Sequence, residues 1–308
     1  MRPKTISRWL VAMGMFFSLA PPVLLKAQTT TSGQCCQPAP PAINANELVR
    51  RAVANEVKAN TDGVSMMFRV RRQTAKATQT REYVETREGT AGMLVAVDDK
   101  PLNAQQHQQE MARLENIVNN PSEIRKKQKQ QKEDSERVLQ MVKTLPDAFR
   151  YEYVGIEHSK DGDELVRLKF WPNPAFEPPS REQEVFTGMN GFLLIDTKRQ
   201  RIARIDGTLF KDVNFGWGIL GHLNQGGRFV VVQGPAAEGY WTTTHMQLNF
   251  TGKALLFKSI RIQEVEDSAG FRRVPNNLTF AQGIDLLKKE DGVLAENQSA
   301  ATSDSARH

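Results

Sequence analysis

Cross-links are scarce in this sequence. Of its 308 residues only Cys35 and Cys36 are cysteines, and they are adjacent. Neighbouring cysteines would close a strained ring, so a structural staple is not expected from them. They read instead as an exposed, reactive pair within a Pro/Ala/Thr-rich stretch. Long apolar runs are also missing beyond the N-terminus, and no H-E-x-x-H or G-x-S-x-G occurs anywhere. The five histidines are scattered, with no pair at i, i+4 spacing. No metal site and no cofactor is therefore expected.

An excess of charge is lacking too, once the start of the chain is set aside. Arg2, Lys4 and Arg8 precede the apolar run Trp9–Ala20, and Val23-Leu24-Leu25-Lys26-Ala27 follows Pro21-Pro22. A basic start, a short apolar middle and a small exit residue read as a secretory signal peptide, 1–27, cleaved near Ala27. A membrane span needs about 20 apolar residues, more than this run holds. Arg2, Lys4, Arg8 and Lys26 leave with it, so 41 basic residues become 37 against 35 acidic ones. Nothing in that balance calls for nucleic acid. The expected protein is exported and periplasmic, with contact to a membrane surface left open.

Without staples or metal, the remainder must stand on one hydrophobic core, and about 280 residues suffice. After a flexible leader, 28–46, Leu48, Val49, Ala52, Val53 and Val57 recur at helical spacing, with Asn46 as cap. Alternating runs then predict strands at Val64–Arg72, Thr80–Thr86 and Thr90–Asp98. Residues 101–143 change character. They are rich in Gln, Lys and Glu, split by Pro121, and include the almost wholly polar Arg125–Asp134. This segment reads as a helical insertion standing off the main body, its polar middle a solvated face.

From Phe149 onward the pattern is strand after strand. Tyr151–His158 and Glu164–Trp171 flank Lys160-Asp161-Gly162-Asp163, a strong hairpin signal. Gly191–Asp196 pairs with Arg201–Leu209. Arg228–Gln233, Tyr240–Phe250, Ala254–Glu266 and Phe271–Val274 follow, with turns expected at Thr251–Lys253 and Asp267–Gly270. Short turns between strands predict an antiparallel sheet. Phe192–Ile195, Phe229–Val232 and Leu255–Phe257 are apolar on both faces, so something apolar must cover the second face. The single domain is expected over 47–290, with a polar, disordered tail at 291–308.

Gly216-Trp217-Gly218-Ile219-Leu220-Gly221 matches G-x-G-x-x-G, but a dinucleotide fingerprint needs a full helix after the glycines and a parallel strand beyond it. Gly226-Gly227 and the strand from Phe229 leave no room for one. The motif is a decoy, read as a short helical turn, Trp217–Leu223.

The runs Phe149–Pro172, Gly191–Gly207 and Trp241–Val265 together resemble the periplasmic lipoprotein-carrier and lipoprotein-sorting group of LolA, LolB and RseB-like proteins. The resemblance implies an α+β fold: a strongly curved antiparallel sheet forming a half-open β-barrel around helices, with an apolar cavity between. The expected function is non-enzymatic binding of a lipid, a lipoprotein acyl chain or another apolar ligand. Its candidate lining residues are Met66, Phe68, Tyr153, Phe170, Phe192, Leu194, Met246, Leu248, Phe250 and Leu256. An envelope-sensing or protein-interaction module using 101–143 and the Trp171–Ser180 loop, with a vestigial cavity, is the alternative. An envelope hydrolase using Asp196, Asp206 and His245 is a third reading.

Overall fold

The computed structural model describes residues 44–60, 63–215, 221–237, 239–254 and 258–305. The expected signal peptide, most of the leader and both cysteines lie outside the described residues, as do Gly216–Leu220 and Leu255–Phe257.

Helix α1 (Ala45–Ala59) starts where the Asn44 side chain accepts the Asn46 amide at 2.9 Å, so Asn44 rather than Asn46 is the cap. Strands β1 (Ser65–Thr74), β2 (Thr78–Thr86), β3 (Gly89–Val97) and the short β4 (Lys100–Pro101) follow. Helices α2 (Ala104–Val118) and α3 (Pro121–Ala148) come next, then β5 (Phe149–His158) and β6 (Glu164–Pro172). A 3-10 helix (Glu182–Gly188) leads into β7 (Met189–Asp196), β8 (Arg201–Leu209), β9 (Val213–Phe215) and β10 (Gly221–Leu223). The last strands are β11 (Arg228–Pro235), β12 (Trp241–Ala254) and β13 (Lys258–Val274), before α4 (Phe280–Ser305).

Twelve strands form one antiparallel sheet in the order β4-β3-β2-β1-β13-β12-β11-β8-β7-β6-β5, with β10 beside β12. The two ends of that path, β4 and β5, do not pair, so the sheet is open and curved rather than a closed barrel. Hairpins supply most neighbours. Two long-range pairings, β1 with β13 and β8 with β11, join the hairpin groups into one layer.

Because paired residues share a face, the register assigns every strand residue to one of two surfaces. The first face carries Leu168 and Phe170 of β6, Leu193 of β7, Ile205 of β8, Val231 of β11, and Met246, Leu248 and Phe250 of β12. It packs against Val49, Ala52 and Val53 of α1, Met141 of α3 and Phe186 of the 3-10 helix. Each of these side chains is nearly or fully buried. At about 25 cal/mol per Å2 removed from water, this core dominates stability.

The second face has its own cover. Over β1–β3 it presents Met67, Val84, Ala91 and Met93 to Leu114 of α2 and to Phe280, Ile284 and Leu287 of α4. Over β6–β8 it presents Leu165, Leu194 and Ala203 to Trp241, whose indole Nε1 donates to the Ile202 carbonyl at 3.1 Å. The apolar character of Phe192–Ile195 on both faces is thus explained by protein on both sides, without a guest.

Five sequence expectations change here. The segment 101–143 does not stand off: Leu114, Val138 and Met141 are buried, and α3 runs on to Ala148 within the core. Asp267–Gly270 is not a turn but a bulge inside β13. Phe68 of β1 faces two residues there, and Gly270 takes the φ of 66° that the kink requires. β12 continues through Thr251–Lys253 to Ala254, and Gly221–Leu223 is strand, not helical turn. Helix α4 runs to Ser305, past the expected start of a disordered tail at residue 291. Among the described residues no helix is long and apolar enough to cross a membrane.

Candidate functional site

Helix α3 spans two parts of the first face. Its C-terminal half fills the core over β5–β12, whereas its polar N-terminal half lies above β1–β3, where the first face is not filled. Between them is a hollow of about 400 Å3 lined by Val70 and Arg72 of β1, Arg81 and Tyr83 of β2, Glu266 of β13 and Lys127, Gln131 and Asp134 of α3. Arg113 of α2 closes one side. The polar stretch Arg125–Asp134, expected to be a solvated face, is therefore partly the roof of a cavity.

A second hollow of about 80 Å3 continues from the first, sharing Val70, Tyr83, Thr90, Gln131 and Glu266. Its wall adds Met66, Phe68, Phe271, Tyr240 and Ser268. Phe68 stacks on Tyr83 at 5.6 Å on one side and on Phe271 at 5.3 Å on the other, so three strands contribute to one aromatic ladder. Tyr83 can lie flat over β3 because the residue opposite is Gly92: a Cβ there would sit 2.5 Å from the ring. Burial, with Glu85 nearby, pushes the Tyr240 hydroxyl well above the ordinary tyrosine range, so it stays protonated.

The edge of the sheet beside the hollow is sealed by side chains. Beyond the short β4, the outward backbone groups of β3 have no strand partner among the described residues. Gln131 donates to the Thr90 carbonyl and accepts its N–H, Arg113 donates to the Gly92 carbonyl at 2.8 Å, and Glu110 accepts the Leu94 N–H at 2.7 Å. Helices thus finish the ladder that a further strand would have made.

Charges around the larger hollow are held in pairs. Glu110 is buried and gripped by Arg113 at 2.6 and 2.7 Å, with Arg81 at 3.8 Å. Arg72 bonds Glu264 at 2.5 Å and lies 3.3 Å from Glu266. Burial opposes its charge, but the two carboxylates outweigh that and raise its pKa. Asp134 accepts from Arg137 at 3.1 Å. Among the described residues no cluster of three ligating side chains suits a metal ion.

The ten expected lining residues are scattered by this geometry. Met66 and Phe68 lie in the wall of the smaller hollow. Leu248 borders a separate apolar crevice of about 60 Å3 beneath Val138, Met141 and Leu145 of α3. Phe170, Met246 and Phe250 are buried in the main core, with Tyr153 packed against it. Phe192 and Leu194 belong to the second face, the former under the Arg167 guanidinium at 4.0 Å. Leu256 lies outside the described residues. The polar wall, Arg72, Arg81, Arg113 and Lys127, went unseen in the sequence.

Asp196, Asp206 and His245 are engaged separately. Asp196 is buried in the β7–β8 turn and accepts the Arg199 N–H at 2.6 Å and its guanidinium at 2.7 Å. Asp206 sits between Arg204 and Arg228, and His245 contacts Asp267 at 2.7 Å.

No family model and no curated protein matches this chain. Three solved structures are similar to it. An outer-membrane lipoprotein-sorting protein domain from Vibrio parahaemolyticus is 10% identical, with a TM-score of 0.32, covering 80% of this chain and all of its own. A DUF1329 family protein from Desulfovibrio piger is 11% identical, with a TM-score of 0.24, over 74% of this chain and 92% of its own. MucB, solved in complex with periplasmic MucA, is 9% identical, with a TM-score of 0.22, over 75% of this chain and all of its own. All three scores fall well below 0.5, so the reading of the site rests on this chain's own geometry.

Proposed function

We propose that this protein is an exported, non-enzymatic binding protein whose ligand is a small, lipid-like molecule held between α3 and strands β1, β2 and β13. One observation carries the reading: a polar hollow of about 400 Å3 runs into a smaller one walled by Met66, Phe68 and Phe271. Ligand sites in proteins commonly measure about 300–1,000 Å3 and join apolar walls to a few fixed polar groups. The aromatic ladder takes the apolar part of the ligand, each buried methylene contributing about 0.8 kcal/mol. The polar group of the ligand then lies under the hydrophilic half of α3.

The direct test is organic extraction and mass spectrometry of protein purified without detergent, beside titration with a fluorescent fatty acid. A co-purified lipid or saturable uptake is expected. Neither one being found would overturn the proposal.

A further inference from the structure

The binding reading leaves the ligand's polar end unassigned, and the wall of the larger hollow bears on it. We infer that the head group is an oxyanion, a carboxylate or a phosphate ester, so that the ligand is an anionic single-chain amphiphile. This deepens the proposed function and rests on it.

Four cationic side chains from four elements meet in this wall: Arg72 from β1, Arg81 from β2, Arg113 from α2 and Lys127 from α3. Against them the wall holds two carboxylates, Asp134 and Glu266. Both are already engaged, Asp134 by Arg137 and Glu266 by Arg72. The other acids that pair with the wall's arginines, Glu110 and Glu264, do not line the hollow. Their side chains are only 5% and 11% exposed. Acids set behind the wall and cations set in it give the hollow a net positive lining. Counting Arg137 and the acids behind the wall, Glu110, Glu264 and Glu182, as well, cations and carboxylates are five each, so the positive excess lies in the wall itself. Low-dielectric walls focus such a field onto the cavity. Arginine and lysine donors also suit oxyanions in number and geometry. The aromatic end of the site continues from this wall through Val70 and Tyr83, so one molecule can reach both.

The test uses the mature protein and five probes, each below its micelle threshold: dodecanoate, dodecyl phosphate, 1-dodecanoyl glycerol, dodecyltrimethylammonium and inorganic phosphate. Displacement of a fluorescent fatty acid reads affinity for the four amphiphiles, and calorimetry reads phosphate. Both anionic amphiphiles should bind on the order of tenfold more tightly than the neutral ester, about 1.4 kcal/mol. That advantage should shrink as salt is raised. In the double variant Arg81→Gln, Lys127→Gln the difference between anion and ester should fall to about threefold or less. Equal binding of ester and anion, or a preference for the ammonium probe, overturns the head-group assignment while leaving the apolar site standing. An anion preference that survives in the double variant overturns it as well. Inorganic phosphate binding as tightly as dodecyl phosphate keeps the oxyanion site but removes the apolar one. Binding of no probe at all sinks both.

Discussion

The side-chain amide of Gln131 makes both of the outward backbone hydrogen bonds of Thr90, accepting its N–H at 2.9 Å and donating to its carbonyl at 3.2 Å. One glutamine on α3 thereby ties the helix to the edge of β3 and fixes the roof of the hollow over its floor. Gln131→Ala should lower stability by about 1–3 kcal/mol, the usual result of leaving such groups unpaired. A shift in the urea midpoint at unchanged slope checks it, and weaker uptake of a fluorescent fatty acid should accompany the shift.

Gly92 and Tyr83 make a second coupled pair. Gly92→Ala puts a methyl group into the space of the Tyr83 ring. The ring must move toward the hollow or the strands must part, at a cost of about 1–3 kcal/mol. Thermal unfolding reports the stability change. In a Tyr83→Ala background the same glycine substitution should cost little, because the clash is then gone.

Leu114 distinguishes a packed helix pair from a free-standing arm. It is fully buried between α2, α4 and the second face. Leu114→Ala should cost about 2–5 kcal/mol by denaturant unfolding. Arg125→Ala, on the exposed polar side of α3, should change stability by no more than about 0.5 kcal/mol. Equal, small effects would restore the expectation that 101–143 stands off the body.

Asp206 makes acid stability testable. Partial burial works against its charge, but hydrogen bonds from Arg228 and Arg204 outweigh this and hold its pKa below the usual carboxylate range. A depressed folded-state pKa contributes stability above the unfolded value, near 3.9, that is lost as pH falls through the folded one. Asp206→Asn should therefore reduce the difference in unfolding midpoint between pH 6 and pH 3. An unchanged difference would place the acid sensitivity elsewhere.

Ser268 borders the smaller hollow beside Phe68 and Phe271. Ser268→Phe should fill that space and cut fatty-acid uptake at least tenfold, with the far-ultraviolet circular dichroism spectrum preserved. Undiminished uptake would move the apolar site to the crevice beneath Met141 and Leu145.

Much of the sheet was legible because its signals are local. Lys160-Asp161-Gly162-Asp163 announces the β5–β6 hairpin, and alternation marks β8, whose expected bounds Arg201–Leu209 match the observed ones. Gly270 misled, since a glycine in a polar stretch reads the same in a turn as in a bulge. Only the partner strand β1 tells them apart. The polar run Arg125–Asp134 misled in a similar way, because a helix face lining a watery hollow has the composition of one facing bulk solvent. Met66 and Phe68 line the smaller hollow, but Phe170, Met246 and Phe250, equally apolar in sequence, are buried in the main core instead. Apolarity says that a side chain leaves water; it does not say what it then touches.

Strand periods, hairpin turns and the apolar stripes of α1, α2 and α3 follow from residue order alone, because each depends on neighbours within about one hairpin or a few helical turns. The hollow does not. It forms where β1 lies against β13, bringing Arg72 beside Glu264 and Glu266 across 192 and 194 positions of sequence, and where α3 is laid over them by its buried C-terminal half. Those placements are set by how the hairpin groups share one sheet and one core. That is an energy of the whole assembly, which no local spacing records.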